Sequence, residues 1–168
     1  MIDPIALPKH VGVVFNPKSG HVRRNLKKLR RLALQIPQST VIEASNPAEI
    51  AQALDTFNLG VNDLLVVIGG DGSLQAALTA SLRRSIELVP FVLALPAGTT
   101  NMSAIDLGMT MTPASTLEAL ISWLIGDAPP PLVSTRSILQ VSDASSALPQ
   151  FGVFFGAGAI IDGVRYFH

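Results

Sequence analysis

Short apolar runs alternate with amphipathic stretches from Val11 to Leu95, and that alternation is the chain's main structural signal. Val11, Gly12, Val13, Val14 and Phe15 read as a first strand. Residues 21–35 follow as a helix, with Leu26, Leu29, Leu32 and Ala33 recurring at three- to four-residue spacing. Val41 and Ile42 make a short second strand. Asn46, Pro47 and Glu49 then spell a helix start, with a capping side chain, a proline at the first helical position and an acid at the third. Ile50, Ala53, Leu54 and Phe57 give that helix its buried face. The run 64–68 is apolar throughout and reads as a buried strand, 74–82 as a helix, and 91–95 as a fourth strand. Strands alternating with helices predict a parallel sheet covered by helices on both faces. Ligands of such sheets bind at the carboxyl ends of the strands.

Beyond Leu95 the pattern changes. Thr112 and Pro113 open a helix with Leu117, Leu120, Ile121 and Leu124 on one face, ending at Gly126 and carrying the only tryptophan, Trp123, into the core. Residues 127–132 hold three successive prolines and read as a linker. Residues 137–141 and 151–155 read as two strands separated by a polar stretch. The predicted organisation is an α/β domain over residues 1–130 and the beginning of a β-rich second domain over 131–168. No internal repeat is evident.

Composition narrows the class. Of the 168 residues, 48% are hydrophobic and 14% charged, which is apolar yet globular. The formal net charge is zero, so there is no global attraction to nucleic acid or to an anionic membrane. The absence of cysteine excludes disulfides and cysteine-ligated metals. The amino terminus lacks the basic-then-apolar order of a signal peptide. The longest apolar stretch, residues 151–161, is too short and glycine-rich to span a bilayer. The expected location is cytoplasmic, with any membrane contact peripheral and at the inner face.

The candidate chemistry lies in three polar segments, each at the end of a predicted strand. Gly69, Gly70, Asp71, Gly72 and Ser73 follow the buried run 64–68. Glycines there leave backbone amides open to a phosphate, and the helix that follows would turn its positive end toward the same anion. The one carboxylate of this loop, Asp71, makes sense beside a metal ion or a proton to be moved. Asn16, Lys18, Ser19 and Gly20 occupy the exit of the first strand, where a plain turn is the competing explanation. Gly98, Thr99, Thr100 and Asn101 offer two hydroxyls, an amide and bare backbone after the fourth strand, where a helix cap is the alternative.

In this order and spacing the three segments resemble the catalytic domain shared by diacylglycerol kinases, sphingosine kinases and bacterial lipid kinases. A more distant similarity runs to NAD kinases and phosphofructokinases. The resemblance covers residues 10–110 well. It implies an α/β nucleotide-binding domain of the NAD-kinase and diacylglycerol-kinase type that transfers the γ-phosphoryl of ATP, with Mg2+, to the hydroxyl of a lipid such as diacylglycerol. It assigns Asp71 the catalytic role, through Mg2+ or the reacting hydroxyl. Nucleotide binding falls to Asn16, Lys18, Ser19, Gly20, Ser45, Gly69, Gly70, Gly72, Ser73, Gly98, Thr99, Thr100 and Asn101; no side chain is assigned to a protein-held metal. Ser45 stands near the place where many relatives carry threonine. Met102 and Ile105 replace the aspartate or leucine and the arginine common in relatives. Family members carry a β-sandwich second domain that supplies the general base. Only its first hairpin is expected here, so these 168 residues should bind nucleotide and transfer phosphate weakly or not at all.

Two other readings stand beside this one: a soluble kinase of the NAD-kinase type, and a non-catalytic nucleotide-binding module that dimerises. Arg23, Arg24, Lys27, Lys28, Arg30 and Arg31 concentrate half of the twelve basic residues on one helix. They are either a solvated face or an attraction to anionic lipid. Nucleic acid is excluded as a partner because no aromatic residues interleave the charges. His10, His21 and His168 have no partner at metal-ligand spacing. Neither a nucleophile elbow nor a Gly-x-x-x-x-Gly-Lys phosphate loop is present, and Gly156, Ala157 and Gly158 lack the rest of a dinucleotide fingerprint.

Overall fold

Four of the apolar runs pair side by side as a parallel sheet, because the first three are each followed by a helix of 11 to 14 residues, long enough to cross back and cover a face. The computed structural model describes residues 5–142 and 148–153. Its elements are β1 (Val11–Phe15), α1 (Gly20–Ala33), β2 (Ser39–Glu43), α2 (Pro47–Phe57), β3 (Leu64–Gly69) and α3 (Asp71–Arg84). There follow β4 (Phe91–Pro96), α4 (Met102–Asp106), α5 (Pro113–Leu124), β5 (Leu139–Val141) and β6 (Gln150–Gly152).

The sheet runs in the order β2-β1-β3-β4 with every pair parallel. The chain leaves β1 outward to β2, then jumps back across β1 to β3, so the winding direction reverses between β1 and β3. α1 and α5 cover one face through Val22, Leu29, Leu32, Leu117, Leu120 and Trp123. α2 and α3 cover the other through Ile50, Ala53, Leu54, Leu74, Ala77 and Leu78. The α/β class, the helices on both faces and the start of a second, β-rich layer agree with expectation. β5 and β6 pair antiparallel as a separate small sheet.

The edges of the elements differ from the sequence reading for identifiable reasons. β2 extends from Val41 and Ile42 to five residues, since parallel pairing with β1 recruits Ser39, Thr40 and Glu43 at the sheet edge. α3 begins at Asp71, because Gly70 serves as its N-cap and the glycine motif itself forms the first turn. α5 ends at Leu124, and Gly126 adopts a φ of +88° just beyond it. At α2 the predicted start is present: the Asn46 side chain accepts the Glu49 N–H at 3.0 Å, and Glu49 Oε2 accepts the Ser45 N–H at 2.6 Å. Trp123 is buried, as expected. β6 begins at Gln150. The rest of the predicted final strand, with Gly156, Ala157, Gly158 and His168, lies outside the described residues, as does most of the polar stretch before β6.

The packing of α2 on β1 depends on Gly12. A Cβ there would stand 2.6 Å from Phe57 Cδ2 and 2.9 Å from Leu59 Cδ1. Gly12→Ala therefore forces the end of α2 off the sheet, and urea unfolding should show a loss of about 1–3 kcal/mol.

Candidate functional site

The winding reverses between β1 and β3, and the carboxyl ends of the strands at such a point are where sheets of this kind bind ligands. Asn16 stands at that point and secures it three ways. Its N–H donates to Ile68 O at 2.9 Å, its Nδ2 donates to Ser73 Oγ at 2.9 Å, and its Oδ1 accepts the Lys18 N–H at 3.0 Å. The exit of β1 is thus tied to the first turn of α3. Ser73 is buried and serves as the anchor for Asn16. The β1 exit also meets the β4 exit: the His21 N–H donates to Ala97 O at 3.0 Å, and Gly20 lies beside Thr99.

β3 and β4 end against each other. A Cβ built on Gly98 would lie 2.5 Å from Gly70 Cα, and one on Gly70 would lie 3.1 Å from Gly98 Cα. Both neighbours are backbone, so a side chain at Gly98 would force the loops apart, and one at Gly70 would need a shift of a few tenths of an ångström. Asn101 closes the turn after Gly98 in a left-handed conformation, φ +53°, which asparagine tolerates better than most residues. Its Oδ1 accepts the Gly98 N–H at 2.7 Å and its Nδ2 donates to Gly98 O at 3.0 Å.

Asp71 completes the assembly. Its Oδ2 accepts the Met102 N–H at 3.1 Å and its Oδ1 accepts the Ser103 N–H at 2.8 Å. The carboxylate therefore caps α4 from a neighbouring element, a charge-assisted arrangement at the positive end of that helix. Each oxygen accepts one of these bonds and retains a further lone pair.

These contacts leave the start of α3 open to solvent at Gly72. The N–H groups of Asp71 and Gly72 occupy the first turn of α3, where no intrahelical acceptor exists. Gly72 is exposed, and a Cβ there would meet nothing within 4 Å. Thr99, Thr100 and Lys18 are also exposed on the rim. Unpaired amides at a helix start beside hydroxyls and a lysine can receive a multiply charged anion. Among the described residues no group of three His, Asp or Glu side chains could hold a metal by itself.

Thirteen of the fourteen residues singled out in the sequence, all but Ser45, thus lie in the three exit loops. Ser45 sits at the end of β2, with its N–H held by Glu49. Three features escape a sequence reading. The pairing of Asn16 with Ser73 spans 57 residues, the backbone contact of Gly70 with Gly98 has no side-chain signature, and the receiving amides of Met102 and Ser103 belong to residues whose side chains do not announce the role.

Comparison with known proteins agrees with this fold. Three crystal structures from Bacillus anthracis str. Sterne share the fold. A diacylglycerol kinase matches at 23% identity and a TM-score of 0.55, covering 68% of this chain and 40% of its own. Two structures described as candidate diacylglycerol kinases match at 23% identity with TM-scores of 0.55 and 0.56, covering 68% and 70% of this chain and 42% and 43% of theirs. At that identity the likeness is one of fold, and this chain spans about two fifths of their length. No curated protein matches the chain at a significant level. Residues 10–127, well over half of the sequence and all three exit loops, match the family described as the diacylglycerol kinase catalytic domain, and the chain belongs to that family.

Proposed function

We propose that this chain is the nucleotide-binding part of an ATP-dependent lipid kinase, in which residues 1–130 bind MgATP and 131–168 begin the β-rich domain that faces the acceptor. The observation that carries this reading is the joining of three strand exits around free helix-start amides, with one carboxylate among them. Bound MgATP supplies the γ-phosphoryl group, and its Mg2+ neutralises phosphate charge. The amides of Asp71 and Gly72 and the hydroxyls of Thr99 and Thr100 would hold the phosphates, with Lys18 adding charge at the rim. Asp71, which accepts from the Met102 and Ser103 amides, would turn its remaining lone pairs toward the Mg2+ of the nucleotide or the acceptor hydroxyl. Ser19 and Gly20 line the same mouth, and Ser45 stands at its β2 end. Phosphoryl transfer depends mainly on such positioning and charge neutralisation. No general base for the lipid hydroxyl is assigned among these residues, so transfer by this chain alone is weak or absent.

The lipid side of the reading draws on α1. Lys28 pairs with Glu118 at 3.4 Å and Arg30 with Glu43 at 2.6 Å. Arg23, Arg24, Lys27 and Arg31 have no carboxylate within 4 Å among the described residues and remain available to anionic headgroups. No described helix is long and apolar enough to cross a membrane. Peripheral contact at the cytoplasmic face is the arrangement we favour.

Titration calorimetry with MgATP tests the nucleotide half. Wild-type chain should bind, and Gly98→Ala should weaken binding at least about tenfold, because its Cβ drives β3 and β4 exits apart. An unchanged affinity in Gly98→Ala would place the nucleotide elsewhere. Asp71→Asn removes a charge-assisted acceptor and should weaken binding about tenfold while leaving the chain folded by circular dichroism. Labelled MgATP should give labelled diacylglycerol with a longer reading frame and little or none with these 168 residues, and neither should label NAD; labelled NAD with unlabelled lipid would overturn the lipid assignment. Sedimentation with phosphatidylserine vesicles should weaken about fivefold for each of Arg23→Gln and Lys27→Gln, with phosphatidylcholine vesicles unbound throughout.

A further inference from the structure

α3 carries the phosphate loop at its N-terminus and a second, unrelated feature along its side. Gln75, Thr79 and Arg83 are spaced four residues apart and so form one ridge of the helix. All three meet the strand β6 and the residues entering it. Gln75 Nε2 reaches Gln150 Oε1 at 3.4 Å, and Arg83 donates to Pro149 O at 2.7 Å and Leu148 O at 3.3 Å. Thr79 makes the central contact. Its Oγ1 donates to Phe151 O at 3.1 Å and accepts the Phe151 N–H at 3.0 Å, and both residues are buried. One hydroxyl thereby satisfies both backbone groups of a β6 residue, the service a neighbouring strand would perform. An apolar residue at position 79 would leave a buried N–H and a buried C=O unpaired, an arrangement folded proteins avoid.

A further tie reaches the same small sheet from α4. Arg136 Nη2, on the segment leading into β5, donates to Asp106 O at 2.6 Å. The two elements that meet through Asp71 are therefore the same two that hold the antiparallel sheet. We infer that Gln75, Thr79 and Arg83 are a docking ridge by which α3 holds β5 and β6 at a fixed angle to the phosphate loop, with Thr79 as the positioning residue. Thr79 touches neither nucleotide nor acceptor in this arrangement. It sets where the second sheet stands relative to the loop. Only the consequence for phosphate transfer rests on the kinase reading; the docking itself does not.

The chain has no cysteine, so two spin labels can be placed without background. With Gln52→Cys on α2 and Gln140→Cys on β5, both exposed, electron–electron double resonance should give one narrow distance distribution. Thr79→Val should broaden it and speed hydrogen exchange at the Phe151 amide about tenfold or more, with exchange in β3 unchanged. Thr79→Ser, which restores the hydroxyl, should return both readouts to wild type. Arg83→Gln, an exposed change that leaves the core intact, should broaden the distribution partially and serves if Thr79→Val does not fold. MgATP affinity should stay within about twofold of wild type in Thr79→Val, since the loop amides are untouched. A broad distribution in the wild-type chain, or a narrow one in Thr79→Val with Phe151 still protected, overturns the inference. A wild-type chain that binds no MgATP overturns the nucleotide reading alone, because distance and exchange are measured without it.

Discussion

The close approach of two bare α-carbons, Gly70 and Gly98, is the constraint on which the rest of the site depends. Where they meet, the ends of β3 and β4 come within the reach of one carboxylate, and Asp71 can accept from Met102 and Ser103. A methyl group at Gly98 would stand 2.5 Å from the Gly70 α-carbon and push the strand ends apart. The free amides of α3 would then face solvent from one side only. Packing thus decides the geometry, and electrostatics exploits it.

Asp71 gains a double meaning from this arrangement. A lone carboxylate in an anion-binding loop is unfavourable toward the anion itself. Here its charge is already engaged by two amides at the start of α4, which would lower the cost of keeping it beside the phosphate of the proposed function. The same group can hold the neighbouring loop and still offer lone pairs outward. The structural role and the chemical role are compatible because they use different directions around the carboxylate.

Much of this was legible in the sequence, and what was not has a common cause. β1, β3 and β4 could be read to within a residue, since all three are apolar, β1 and β3 are buried throughout, and their boundaries coincide with Asn16, Asp63 and Ala97. The start of α2 was legible because capping is local: Asn46 and Glu49 are three residues apart. The three loops could be nominated from their glycines, hydroxyls and positions after strands. What joins them could not. Asn16 finds Ser73, and Thr79 finds Phe151 across 72 residues, through the packing of entire units. The polar ridge on α3 leaves only a faint trace, a glutamine, a threonine and an arginine at four-residue intervals among small apolar residues. β2 was read short because an edge strand can extend by backbone pairing alone, which demands no apolar side chain.

The sequence separations within the loop cluster set an order of assembly. Asn16 leaves the ribosome long before Ser73, and Asp71 waits a further 31 and 32 residues for the amides that engage it. No nascent chain ending before residue 103 contains the complete cluster, even with β1, β2 and β3 already paired. The joined cluster therefore arrives in one step, once residue 103 has been made and β4 joins its neighbour. Until then, the polar ends of three finished strands are separate turns with nothing to hold.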